Sequence, residues 1–372
     1  MKHGARVLAL ALALAAPAAA FGQSTGAAPP PEVSSTPPDY PRGKISGQFF
    51  IDAYYNAAGD PAHTYNGSGQ DAAKQAIDGK GNIGKDLNGF LIRRVYFQHD
   101  ADLSAKFSTR VRLEVDSKSL TSDGKLGAAV KAAYVQAKNV IPRGGLMVGM
   151  LTTPTWENSE EFWGYRSVEK TLADFRGIGT SADIGVELKG YLDPGKKVGY
   201  SAMIGDGTGQ KPEDNRYKKF YLSLPLNLVE GLKLEPYVDY EPVAGMNDRA
   251  TYKLFAGYEH TRMAVGGEIL DRVNHSPSGN TEPFGYSVFG RWKARPELTA
   301  FGRFDGWQPD TRAANRVDSQ LWIAGVDWET YKDVHIIPSL EGVQYRAKGT
   351  AVSPSHPDLQ ARVTLYWKFS KP

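Results

Sequence analysis

The sequence predicts an all-β fold: a transmembrane, antiparallel up-and-down β-barrel of about sixteen strands, with short turns at one end and long loops at the other. Three observations predict it. From Lys44 to Phe369, apolar and polar residues alternate with period two, which sends successive side chains to opposite faces of a sheet. The segments between these runs are long and short by turns, so the long ones collect on one side. No stretch after residue 22 reaches the roughly 18 apolar residues of a helical span, whereas barrel strands average to a polar composition.

Residues 1–22 read as a secretory signal peptide. Lys2 and Arg6 precede an apolar run from Val7 to Ala20, interrupted by Pro17, and cleavage is expected after Ala20 or Gly22. Residues 23–43 contain Pro29-Pro30-Pro31, Pro37-Pro38 and Pro41, and read as a Pro-rich periplasmic tail without a packed core. The barrel is expected over 44–369, and 370–372 as a C-terminal extension.

The strands are expected at 44–56, 89–102, 105–117, 127–138, 144–152, 179–192, 197–205, 216–228, 232–242, 248–260, 262–271, 283–294, 297–307, 317–329, 332–345 and 358–369. The cleanest alternation is 107–116. There Phe107, Thr109, Val111, Leu113 and Val115 share one face, and Ser108, Arg110, Arg112, Glu114 and Asp116 the other. Four charges side by side would be badly placed in a dry core, so that face is expected to be wet. The last run repeats the pattern, with Leu359, Ala361, Val363, Leu365, Trp367 and Phe369 opposite Gln360, Arg362, Thr364, Tyr366 and Lys368.

The connections sort by parity. Odd strands are followed by 57–88, 118–126, 153–178, 206–215, 272–282, 308–316 and 346–357. Even strands are followed by turns such as Leu103-Ser104, Asp193-Pro194-Gly195, Val229-Glu230-Gly231, Arg295-Pro296 and Thr330-Tyr331. A soluble sandwich has no reason to sort loops this way; an outer-membrane barrel does, with short periplasmic turns and long external loops. Closure follows because unpaired backbone groups in hydrocarbon cost several kcal/mol each, roughly. About sixteen strands is the size at which a barrel encloses an aqueous channel.

Composition narrows the function. Aromatic residues make up 11% of the chain, enough for girdles at two interfaces. Tyr54, Tyr55, Trp292, Trp307, Trp322, Trp328 and Trp367 are the girdle candidates. There is no cysteine, so no disulfide, thiolate nucleophile or Cys-ligated metal is possible. Without Lys2 and Arg6 the balance is 42 basic to 41 acidic residues, so no net field draws nucleic acid. The seven histidines are scattered, and no metal or other cofactor is expected. No serine sits in a nucleophile motif, so no catalytic residue is named.

Several segments together resemble the phosphate-selective porin O and P family. They are Leu91-Ile92-Arg93-Arg94-Val95, Asp102-Leu103-Ser104, Ala132-Ala133-Tyr134-Val135, Gly149 to Pro154 with Glu157, Asp183-Ile184-Gly185-Val186 and Gly205-Asp206-Gly207-Thr208-Gly209. They run in order over most of 44–369. The resemblance implies a 16-stranded barrel in the Gram-negative outer membrane, as a homotrimer. It also implies loops that narrow the pore and basic residues that favour anions. Such barrels end on an aromatic residue recognised by the assembly machinery; here Phe369 is the expected signal, displaced by Ser370-Lys371-Pro372.

The function expected is passive diffusion of small hydrophilic solutes or anions, in contact with outer-membrane lipids. Alternatives are a structural or adhesive barrel and a lipase-like enzyme. The wall residues expected to set selectivity are Arg110, Arg112, Glu114, Asp116, Lys131, Arg291, Lys293, Arg303 and Arg362. Loop 153–178 is the expected constriction, with Glu157 and Arg166 as its charges. Gly205 to Gly209 lacks the lysine and following helix of a phosphate-cradling loop, and is read as an ordinary loop.

Overall fold

The computed structural model describes residues 39–59, 85–121, 125–245, 247–353 and 356–371. The expected signal peptide, most of the Pro-rich tail and most of loop 57–88 lie outside the described residues. The strands are β1 (Arg42–Ala58), β2 (Asn88–Asp102), β3 (Phe107–Leu120), β4 (Leu126–Ile141), β5 (Gly144–Thr152), β6 (Ala182–Tyr191), β7 (Gly199–Gly205), β8 (Lys219–Ser223) and β9 (Leu226–Val229). They continue as β10 (Leu232–Glu241), β11 (Arg249–His260), β12 (Met263–Asn274), β13 (Phe284–Arg295), β14 (Leu298–Gln308), β15 (Arg316–Tyr331), β16 (Val334–Lys348) and β17 (Asp358–Lys371). Each pairs antiparallel with its neighbours, and β17 returns to pair with β1, closing the sheet.

β8 and β9 lie end to end on β10 and form one stave. The break falls at Leu224-Pro225, because Pro225 has no N–H for the ladder; its carbonyl still accepts the Gly199 N–H at 2.7 Å. The barrel therefore has sixteen staves. Each expected run overlaps one of them. The long and short connections alternate as expected, and both described ends of the chain lie on the short-turn side, where Arg42 pairs with Asp102 and Ile45 with Lys371. The final strand runs through Ser370 to Lys371, past the boundary expected at Phe369.

The alternation resolves into outside and inside. Val111, Leu113, Val148, Val186, Ile204, Val265, Val288, Leu340, Val363 and Leu365 are exposed around the outside. Closure leaves no strand edge, and an apolar belt of this kind suits a hydrocarbon surround. Trp292, Trp328 and Trp367 face outward close to the short turns, with Trp367 stacked on Phe49 at 5.1 Å between ring centroids, as an interfacial girdle requires. Phe369 joins this cluster, 5.3 Å from Trp367. Trp307 departs from the expectation. It faces inward, 4% exposed, because Arg176 lies over its ring and Leu172 packs against it.

Val288, midway along β13 and 54% exposed, tests the belt. Val288→Arg is expected to lower folding stability in lipid by about 2–4 kcal/mol. Ser287→Arg, on the inner face, is the wrong comparison because Ser287 is buried; Lys293→Arg, exposed near a turn, should be close to neutral. Equal effects of Val288→Arg and Lys293→Arg in denaturant titrations would remove the lipid-facing assignment.

Candidate functional site

The inner face is not uniformly polar, as the sequence had suggested. From β11 to β16 it carries Phe255, Phe289, Phe301, Leu321, Ile323, Ile337 and Val343, all buried. The cause is the connection between β5 and β6, which folds into the barrel. It forms two short helices, α1 (Glu157–Trp163) and α2 (Leu172–Phe175), and seats Phe162, Trp163, Tyr165, Val168 and Phe175 on that apolar wall. Trp163 meets Phe289 at 5.3 Å and Phe301 at 6.0 Å in edge contacts, and Tyr165 stacks on Phe301 at 4.1 Å. Gly257 and Gly266 make room for Phe162; a Cβ at either would come within 2.7 Å and 2.9 Å of its ring.

Polar contacts fix the loop as well. Its backbone carbonyls, otherwise unsatisfied inside the barrel, are met by wall guanidiniums. Arg93 donates to the Ser167 and Val168 oxygens, Arg291 to that of Phe162, Arg303 to that of Lys170, and Arg272 to that of Ile178 at 2.7 Å. Glu268 accepts the Leu172 N–H at 2.8 Å, Glu235 accepts from Asn158 at 2.6 Å, and Thr155 and Tyr237 share a hydroxyl contact at 2.7 Å.

The expected wall residues point inward, but they do different things. Arg110 pairs with Asp100 at 2.6 Å and lines open space. Arg112 donates to Gln98 at 2.6 Å. Glu114 lies 3.1 Å from Arg94 and 2.9 Å from Lys131, and Asp116 lies 3.7 Å from Arg94. Lys131 also reaches Ser181 at 2.5 Å. Arg291 and Arg303 hold the loop, and Arg303 is forked onto Asp305 at 2.8 and 2.5 Å. Arg362 belongs to a buried chain with Glu341 at 2.6 Å and Asp52 at 3.7 Å. Lys293 is exposed near the turn at 296–297.

The two loop charges separate. Glu157 reaches across to Lys189 on β6 at 2.5 Å and lines a cavity of about 800 Å³ between α1 and the wall from β3 to β11. Arg110, Tyr134, Glu161, Glu187 and Lys233 share that lining. A second cavity of about 690 Å³ also touches Arg110 and Tyr134 and reaches Arg42 and Ser370 at the short-turn end. Arg166 turns instead to the loop's own acids, Glu160 at 2.9 Å and Asp174 at 3.5 Å. Burial pushes the Glu160 carboxyl up to about 7. Burial also works against Asp174, but Lys170 and Arg166 outweigh it and hold that carboxyl at about 2.

Four residues of this site escaped the reading of single residues: Arg93, Arg94, Lys189 and Asp183. The register between β1 and β2 shifts between Phe50 and Ile51, leaving Arg93 as a bulge, so that Arg93 and Arg94 both reach inside partners. A strictly alternating strand would have sent one of them into the apolar belt, and that conflict was the available signal. Lys131 occupies a similar shift between β3 and β4. Asp183 takes N–H donors from Ile184, Gly207 and Gly209 and the Tyr221 hydroxyl, at 2.7–3.1 Å, and so anchors the loop after β7. That fits the reading of Gly205 to Gly209 as loop chemistry.

No protein-family model matches the chain, and no curated protein matches it. Solved structures do. An outer membrane channel, DcaP of Acinetobacter baumannii, superposes with a TM-score of 0.64 at 12% identity, covering 88% of this chain and 97% of that one. OmpF of Salmonella typhi gives 0.61 at 10% identity over 88% and 97%. An anion-selective porin from Comamonas acidovorans gives 0.60 at 13% identity over 89% and 100%. At these identities the likeness is one of fold.

Proposed function

We propose that this chain is a Gram-negative outer-membrane porin through which small hydrophilic solutes diffuse passively. The observation that carries the reading is a charged cavity beside an inward-folded loop, within a closed barrel whose outside is apolar. The similar folds of an anion-selective porin and two further outer-membrane proteins support it. Export by residues 1–22, assembly through Phe369 and a homotrimeric state are parts of the same proposal. Conduction needs contacts that are favourable yet releasable. The cavity supplies Lys233, with no carboxylate partner among the described residues, alongside the paired cations Arg110 and Lys189. We propose a modest anion preference from this balance, and phosphate as the anion to test first.

A structural barrel is the second reading, favoured by the apolar packing of the loop over one part of the wall. Discrete conductance steps in a planar bilayer separate the two; their absence for folded protein would discard the channel. In a salt gradient, Arg110→Ala should lower anion-over-cation permeability by roughly fivefold, since one charge acting over about 8 Å of water changes an anion and a cation by a little over twofold each in opposite directions. Arg112→Ala should do less, since Arg112 lines neither cavity described above. An unchanged reversal potential for Arg110→Ala would take Arg110 out of the permeation path.

A further inference from the structure

The larger cavity is lined, deep inside, by a carboxylate that has no counter-charge. Glu187, on the inner face of β6, is 3% exposed. Ser201 donates to one of its oxygens at 2.6 Å. Among the described residues no cation forms an ion pair with it: Lys189, the next inward residue of the strand, is taken by Glu157 at 2.5 Å. A buried carboxylate without a cation is costly, and a bound cationic group removes that cost. Glu187 pairs with Met147 on β5, and Met147 with Gln136 on β4, so one row of the ladder presents a carboxylate, a thioether and an amide to the space. Glu161, exposed on α1, adds a second acid that is in no ion pair among the described residues.

The opposite end carries the opposite sign. Arg143 and Lys196, in the β4–β5 and β6–β7 turns, line the cavity at its short-turn end. Arg143 donates to the Leu192 carbonyl at 3.0 Å, and Lys196 lies over the Tyr191 ring at 5.7 Å; neither has a carboxylate partner among the described residues. Between the two ends the charges are mostly matched, Lys189 with Glu157 and Arg110 with Asp100, while Lys233 faces the Phe162 ring. The Arg143 carbonyl accepts the Tyr191 N–H at 3.1 Å, which sets that turn level with Tyr191, further along β6 than Glu187. At the rise of a β-strand the stretch from Glu187 to Tyr191 is roughly 13 Å. An extended chain of three residues spans roughly 10 Å, and the long side chains of Arg143 and Lys196 cover the remainder.

We propose that this cavity is a binding site for zwitterions of about tripeptide length, entered from the short-turn side, with the ammonium group on Glu187 and the carboxylate held by Arg143 and Lys196. The proposal rests on the channel reading given above and names a solute class for it. A simple anion meets only the mouth of such a site, and a simple cation only its deep end; a zwitterion engages both.

The test is binding of trialanine to the full-length protein in detergent micelles by isothermal titration, with block of the KCl current as a second readout. Trialanine should bind at least about tenfold more tightly than N-acetyl-trialanine, which lacks the ammonium group, and than trialanine amide, which lacks the carboxylate, because hydrogen bonds to charged groups are the strong ones. Glu187→Gln should bring trialanine down to the affinity of the N-acetyl compound and leave the latter unchanged. Arg143→Gln combined with Lys196→Gln should bring it down to the affinity of the amide; both residues are exposed in turns, so this arm stands even where Glu187→Gln does not fold. Equal affinity for the three compounds, or wild-type affinity in Glu187→Gln, would overturn the proposal. So would ethylammonium binding as tightly as trialanine, since the mouth would then contribute nothing. Trialanine binding with this pattern but no current in any variant would discard the channel and keep the site; current without trialanine binding would do the reverse.

Discussion

Trp163→Ala is expected to undock the inner loop, enlarge the conductance and make the current noisy, while the barrel stays closed. Trp163 is 1% exposed, sits in the angle between Phe289, Phe301 and Tyr165, and donates its indole N–H to the Glu169 carbonyl at 3.0 Å. Truncating a buried tryptophan costs about 3–5 kcal/mol in lost transfer energy and cavity formation. Here that cost falls on the loop, because the sheet is held by its own ladder from β1 round to β17. The loop without Trp163 would keep its arginine contacts but lose its largest anchor. Protease cleavage within 157–176 from the lumen side, together with single-channel recordings, checks the result. Wild-type conductance and wild-type resistance to cleavage in Trp163→Ala would show that the apolar docking is not what holds the loop.

The barrel was legible because two periods run through the whole chain: side chains alternate in twos, and connections alternate in length. Both are local properties, so sixteen staves could be read without knowing what touches what. The loop's destination was legible only in part. Phe162, Trp163 and Tyr165 dock on Phe255, Phe289 and Phe301, which lie about a hundred residues further on; alternation tells which face those phenylalanines take but not what covers them. The same limit applied to the arginines. Arg291 and Arg303 face inward as expected, yet they are held by carbonyls of a loop far away in sequence. Arg93 was obscured for a different reason. Period-two reading assumes an unbroken register, and the bulge at Arg93 breaks it.

The Asp52→Ala variant should be among the least stable of single substitutions inside the barrel, losing about 3–5 kcal/mol. Asp52 is 1% exposed. Its carboxylate lies 2.8 Å from Arg93 and 3.7 Å from Arg362, and accepts the Thr364 hydroxyl at 2.6 Å. Taking away the acid leaves two guanidiniums to share Glu341, which already faces Arg362 at 2.6 Å. A buried pair adds little over an apolar substitute, but stranding one partner is costly, so removing Arg93 as well should restore part of the loss. Asp52→Asn separates charge from hydrogen bonding: it can keep the Thr364 contact, and should still be strongly destabilised if the charge matters most. Denaturant midpoints of Asp52→Ala, Arg93→Met and the double variant in lipid would measure the coupling. If the two single losses simply add, the ionic chain does not act as a unit, and the link from β1 through Arg93 to the Ser167 and Val168 carbonyls no longer explains how the loop is held on the β1–β2 side.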